Sequence, residues 1–145
     1  MATRDEHSTK LIVDANTAVI STDTTTNGAT IDTQNYESVE FIGHASITDG
    51  TYTFVMQEST DGSTWSTVAS DFVLYNGRKA SPSDDLPTLV NATDDDTWFR
   101  FGYVGKERYV RLNIVSASTT TGATMIIGAA LEHFRHQATP EQPAA

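Results

Sequence analysis

Thr51-Tyr52-Thr53-Phe54-Val55-Met56-Gln57-Glu58, followed by Ser59-Thr60-Asp61-Gly62-Ser63-Thr64-Trp65, is the stretch on which the fold reading turns. Strict alternation puts Tyr52, Phe54 and Met56 on one face of a strand and Thr51, Thr53, Val55 and Gln57 on the other. Asp61-Gly62 then marks a tight turn, and Thr64–Ala69 reads as the returning strand. A second stretch repeats the pattern. Trp98-Phe99-Arg100-Phe101-Gly102-Tyr103-Val104 and Arg108-Tyr109-Val110-Arg111-Leu112-Asn113-Ile114-Val115 flank Gly105-Lys106-Glu107, which predicts a hairpin closed at Gly105.

Working outward, the same grammar recurs. In Ser38–Ile47, Val39, Phe41 and Gly43 alternate with Glu40, Ile42 and His44, and Asp49-Gly50 leads directly into Thr51. Lys10–Val13, Ala18–Ile20 and Ala29–Thr33 read as short strands, and Asn27-Gly28 as a turn dipeptide tolerant of positive φ. Asn76–Asp96, with Pro82, Pro87 and two acidic runs, reads as a long connection holding one short strand near Thr88–Val90. A last strand is expected from Ala123 to about Phe134. A helix over Met125–Phe134 competes there, but the Thr-rich entry lacks a cap. Turn signals every 8–12 residues or so predict an all-β fold, an antiparallel β-sandwich with a β-meander at Ser38–Ala69 and jelly-roll connectivity as one candidate. The expected organisation is a flexible arm at 1–9, one domain at 10–135 and an extended tail at 136–145.

Composition agrees. Threonine occupies 23 of 145 positions, and a β-branched side chain suits a pleated surface better than a helix. The chain has no cysteine, which excludes disulfides, thiolate metal sites and a cysteine nucleophile. A formal net charge of -10 opposes contact with nucleic acid or an anionic membrane. The Leu11–Ile20 run is too short and too polar to span a bilayer. The N-terminus has no apolar h-region, so no signal peptide is expected and the chain is expected to be made in the cytoplasm.

No constellation of residues points to catalysis, and the expectation is a protein that is not an enzyme and carries no cofactor. There is no Gly-x-Ser-x-Gly elbow, and His44 reads as a packed or surface strand histidine without a defined partner. Asp49, Asp61, Asp84, Asp85 and Asp94–Asp96 fall in loops, where aspartate commonly bonds its own backbone. Calcium at Asp94–Asp96 lacks EF-hand spacing, and zinc at His133 and His136 would need a helix where a strand end is expected. No phosphate loop surrounds Gly105-Lys106. Arg100, Lys106, Arg108 and Arg111 are split between faces by alternation, so they read as partners for surplus carboxylates or for another protein.

Two resemblances follow from these residues. Ser59–Trp65 resembles the Asp-box of sialidase-like propellers, one residue short, and the Ser-x-Asp-Gly-x-Thr-Trp hairpin of discoidin-like carbohydrate-binding domains. Both motifs shape a turn and seat a tryptophan in the core. They keep a carbohydrate- or receptor-binding module open as an alternative, with Trp65, Trp98 or Tyr75 as the aromatic platform. More broadly, Ile31–Phe134 is similar to small β-rich structural proteins of tailed bacteriophages. The likeness rests on Thr51–Phe54, Glu58–Trp65, Gly102–Gly105, Arg108–Leu112, a small-residue strand ending near His133, and the prolines Pro140 and Pro143. It implies a virion protein on the capsid surface that decorates or cements the head, with the major capsid protein and itself, as a homotrimer, for partners. A head–tail connector or tail component is a neighbouring implication. The candidate interface residues are Arg4, Lys106, Arg108, His133, Phe134, Arg135 and Pro140.

Overall fold

The computed structural model describes residues 10–75, 78–79, 86 and 88–133. Among the described residues thirteen strands follow in chain order: β1 (Lys10–Asp14), β2 (Ala18–Ile20), β3 (Thr25–Thr26), β4 (Ile31–Asp32), β5 (Tyr36–Ile47), β6 (Thr51–Ser59), β7 (Ser66–Thr67), β8 (Val73–Tyr75), β9 (Arg78–Lys79), β10 (Thr88–Val90), β11 (Thr97–Tyr103), β12 (Tyr109–Ala117) and β13 (Ala123–His133). One turn of α-helix, Asn91–Asp94, precedes β11, and a 3-10 turn, Ser70–Phe72, precedes β8.

The protein is an all-β sandwich of two antiparallel sheets. The first has the order β1-β13-β5-β11-β8-β9, with β2 also on β13. The second has the order β10-β6-β12-β3, with β4 also on β12 and β7 also on β6. Inward-facing residues of both sheets form one core, in which Phe54 packs against Phe99 and Phe101 at ring-centroid distances of 4.7 and 5.1 Å. The predicted alternation holds where the strands are long: Val39, Phe41, Tyr52, Phe54 and Met56 are all buried.

The predicted pairing partners change. The two halves of the second stretch form no hairpin with each other: β11 lies between β5 and β8 in one sheet, and β12 pairs with β6 in the other. The Gly105 turn crosses between sheets, and so does the Asp49-Gly50 turn joining β5 to β6. The expected meander is therefore replaced by strands that alternate between layers. β5 pairs with β13 while β6 pairs with β12, so two sheet-crossing arms lie side by side, the nesting a jelly roll repeats. Only β6–β7 keeps its hairpin, and its return is shorter than Thr64–Ala69. The final segment is a strand, as expected, ending in a register shift at Glu132/His133.

The Thr-rich segment is fastened by buried amides and a hydroxyl. Asn16 Nδ2 donates to the Leu112 carbonyl at 2.9 Å, Gly28 N donates to Asn113 Oδ1 at 3.0 Å, and Ser116 Oγ donates to Thr22 O at 2.8 Å. Asn27-Gly28 is no positive-φ turn. Glycine is required because a Cβ at position 28 would strike the Leu112 carbonyl. The backbones run too close there for any side chain, a second reason for glycine that the dipeptide does not reveal.

Candidate interaction surface

Register places the two ends of the sandwich. At one end β1 begins and β13 ends, paired as Lys10 with Glu132, and β5 starts at Tyr36 opposite His133. The turns 59–64 and 104–108 lie at this same end, since Tyr109 pairs with Ser59 and Tyr103 with Val39. Lys106, Arg108 and His133 are thus brought together on one end of the molecule. Arg4, Phe134, Arg135 and Pro140, and the proposed arm and tail, lie outside the described residues.

This end is braced from within. Tyr103 Oη donates to Glu58 Oε2 at 2.6 Å, a bond between the sheets, and accepts from Glu107 N at 3.0 Å. Burial first, and that carboxylate second, push the Tyr103 hydroxyl well above its usual pKa. Arg108 clasps Asp32 through two bonds of 3.0 and 2.7 Å, which lowers the Asp32 pKa and raises that of Arg108. Its guanidinium also lies 4.9 Å from the Tyr109 ring centroid. The His133 ring sits 4.5 Å from that of Tyr36. Lys106 is exposed at the tip of its turn. Between Tyr36 and Tyr103 a cleft of about 280 Å³ opens, lined also by Thr33, Glu37 and Val104.

The Asp61 turn is a fold-maker. Asp61 Oδ1 accepts from Ser63 N and Thr64 N, both at 2.7 Å, and from Ser59 Oγ at 2.9 Å. These bonds, with Thr64 N–H the strongest, draw its pKa down to about 2. The expected seat of the tryptophan is corrected, however. Trp65 is half-buried on the outside of the second sheet, with the Arg111 guanidinium 4.2 Å from its ring centroid. The indole stacks on a cation there instead of entering the core.

At the other end Asp49, Asp94 and Asp95 bind backbone, as their positions suggested, whereas Asp84 and Asp85 lie outside the described residues. Asp49 accepts from Thr120, Thr121 and Gly122 N–H groups at 3.1, 2.8 and 2.8 Å, which lower its pKa. Asp23 accepts from Thr119 N at 2.8 Å, and its pKa is lowered by the same bond. Asp94, Asp95 and Asp96 diverge, to Val90 N at 2.9 Å, Ile47 N at 2.7 Å and His44 Nε2 at 2.9 Å. Among the described residues no three acidic or histidine side chains converge as a metal site would need. The His44–Asp96 pair has the form of a catalytic dyad, but among the described residues no hydroxyl hydrogen-bonds to His44, which instead leans on the Trp98 ring at 4.8 Å.

Trp98 itself is 72% exposed, on the outer face of the first sheet. Alternation made it a surface or core residue without deciding which; only the sheet assignment of β11 does.

No known family matches the sequence, and no curated protein does. Among solved structures, one match is the crystal structure of SPBc2 prophage-derived protein YomS. It has 10% sequence identity and a TM-score of 0.47, and the match covers 85% of this chain and 93% of that one.

Proposed function

We propose that this chain is a structural protein of a tailed-phage virion, seated on the outer surface of the head as a decoration or cement protein and performing no catalysis. The observation that carries the reading is the gathering of Lys106, Arg108, His133 and the outer ends of β1 and β13 at one end of the sandwich. That end presents a cation, the partly exposed Tyr36 and Tyr109 and a cleft, and the segments bearing Arg4, Phe134, Arg135 and Pro140 continue from its adjacent strands β1 and β13. The sequence likeness to phage structural proteins supports the same conclusion.

Such a layout suits adhesion to a lattice. Segments that order on a neighbour cover large surfaces at an entropic cost, and repetition over a symmetric shell makes weak single contacts effective through avidity. The partners on this reading are the major capsid protein and further copies of the chain, and assembly occurs in the host cytoplasm. Cryo-electron microscopy of the source virion is the test. Density for the sandwich outside the shell, with the Lys106 end towards it, is expected. Density confined to the tail, or absence from virions, overturns the reading.

A further inference from the structure

The outer faces of the two sheets differ in kind. On the second sheet, outward positions other than Val55 and Val115 are mostly polar: Thr53 bonds Thr88 at 2.9 Å, and Gln57 accepts from Arg111 and Asn113. On the first, Ile12, Val19, Trp98 and Ile126 are 74%, 79%, 72% and 58% exposed, with Ile42 at 38%. Register makes them contiguous. Trp98, His44 and Ile126 form one row across β11, β5 and β13; Ile42 lies opposite Gly128 in the next row; Ile12 and Val19 flank them from β1 and β2.

We infer that this face binds a second copy of the chain, forming a two-fold dimer. Two physical arguments select that occupant. The first is area. At these exposures the five side chains present on the order of 500 Å² of apolar surface, the upper range for a patch on a monomer. A standard interface covers about 800 Å² per partner, somewhat over half of it apolar. Patch and requirement match.

The second is charge. A chain of net charge -10 repels its own copies almost everywhere. Of the charged groups interrupting this patch, Arg100 is matched with Glu40 at 3.4 Å and His44 with Asp96 at 2.9 Å, while the exposed Asp14, opposite Gly128, accepts from Thr17 Oγ1 at 2.8 Å. A basic partner would be met by unpaired acids, and a sugar by free polar groups around the indole. Here those polar groups hold one another.

A two-fold axis parallel to the strands, between β5 and β13, completes the geometry. It lays Trp98 of one copy over the β1–β2 flank of the other, where Ile12 and Val19 stand. It also sets Ile42 above Gly128, whose missing side chain leaves room with Ile12 Cγ2 3.5 Å from the Cβ position. The two sheets then stack about 10 Å apart, as aligned sheets do. A closed pair of this kind leaves the Lys106 end free, and the inference does not rest on the capsid reading.

Sedimentation velocity of the full chain over a concentration series tests it. A reversible dimer is expected, and Trp98→Glu with Ile126→Glu should raise its dissociation constant about tenfold or more without lowering the thermal midpoint measured at concentrations where both proteins are monomeric. Val55→Glu, on the polar face, should leave the dimer intact. Because the chain has no cysteine, Ile126→Cys supplies a lone thiol that a short bismaleimide should link into dimers. A monomer at all concentrations, a trimer, a dimer indifferent to the double variant, or a monomer that binds glycans through Trp98 would each overturn the inference.

Discussion

The two ends of this sandwich use charge in different proportions. At the end carrying the 48–50 and 117–122 turns, acids face inward to the chain: Asp49 alone holds three consecutive backbone N–H groups, and Asp23 and Asp95 tie further turns. At the end carrying Lys106, Asp61 holds the backbone of its own turn, while the longer ties run through side chains, Tyr103 to Glu58 and Arg108 to Asp32, beside an exposed cation and a cleft. The difference teaches that an acidic loop is no guide to a site. Carboxylates consumed by main-chain donors build structure and are not free to bind a ligand.

The sharpest way to break the clamped end is Gly122→Ala. Gly122 has φ +105°, and a Cβ there would strike the Ile20 carbonyl, so a loss of about 3 kcal/mol or more is expected in urea unfolding. Asp49→Ala comes next. It should lower the unfolding midpoint and abolish hydrogen-exchange protection at Thr120, Thr121 and Gly122 while the 59–64 turn stays protected. Unchanged protection would show that the clamp is incidental.

At the opposite end Tyr103→Phe removes the inter-sheet bond and strands Glu58, for a cost of about 1–2 kcal/mol by thermal unfolding. Asp61 gives a pH signature. Its folded pKa, about 2, lies below the model-peptide value of about 3.9, so its contribution is complete above pH ~4 and fades as pH falls towards 2. Asp61→Asn should flatten that part of the stability profile; an identical acid limb in both proteins contradicts it. Smallest of all is Lys106→Glu, within about 0.5 kcal/mol of wild type in stability. Its effect should appear only in binding to heads that lack the protein, where weaker uptake is expected.

Much of the fold was legible because period-2 patterning is local. Tyr52, Phe54 and Met56 declared their face, Asp61-Gly62 its turn, and the Thr-rich entry to Ala123 its strand. The clustering of Lys106, Arg108 and His133 was not legible, for these residues meet only through the pairing of β13 with β5 and of β12 with β6. Trp65 shows the same limit from the other side. Its motif predicted a core seat, but the motif encodes the turn and not the face on which the following side chain lands, here against Arg111.

The sequence by itself determined strands, turns and the all-β class, because alternation, glycine and aspartate act over a few residues. Tertiary structure alone decided that 98–104 and 109–115 lie in opposite sheets, that Gly28 makes room for a carbonyl, and that Trp98 stands in solvent while Trp65 covers an arginine. The physical reason is that alternation tells a strand which side to bury and is silent on its neighbour. Neighbours are chosen by how the whole core fills, and that choice decides which side chains remain outside for another molecule.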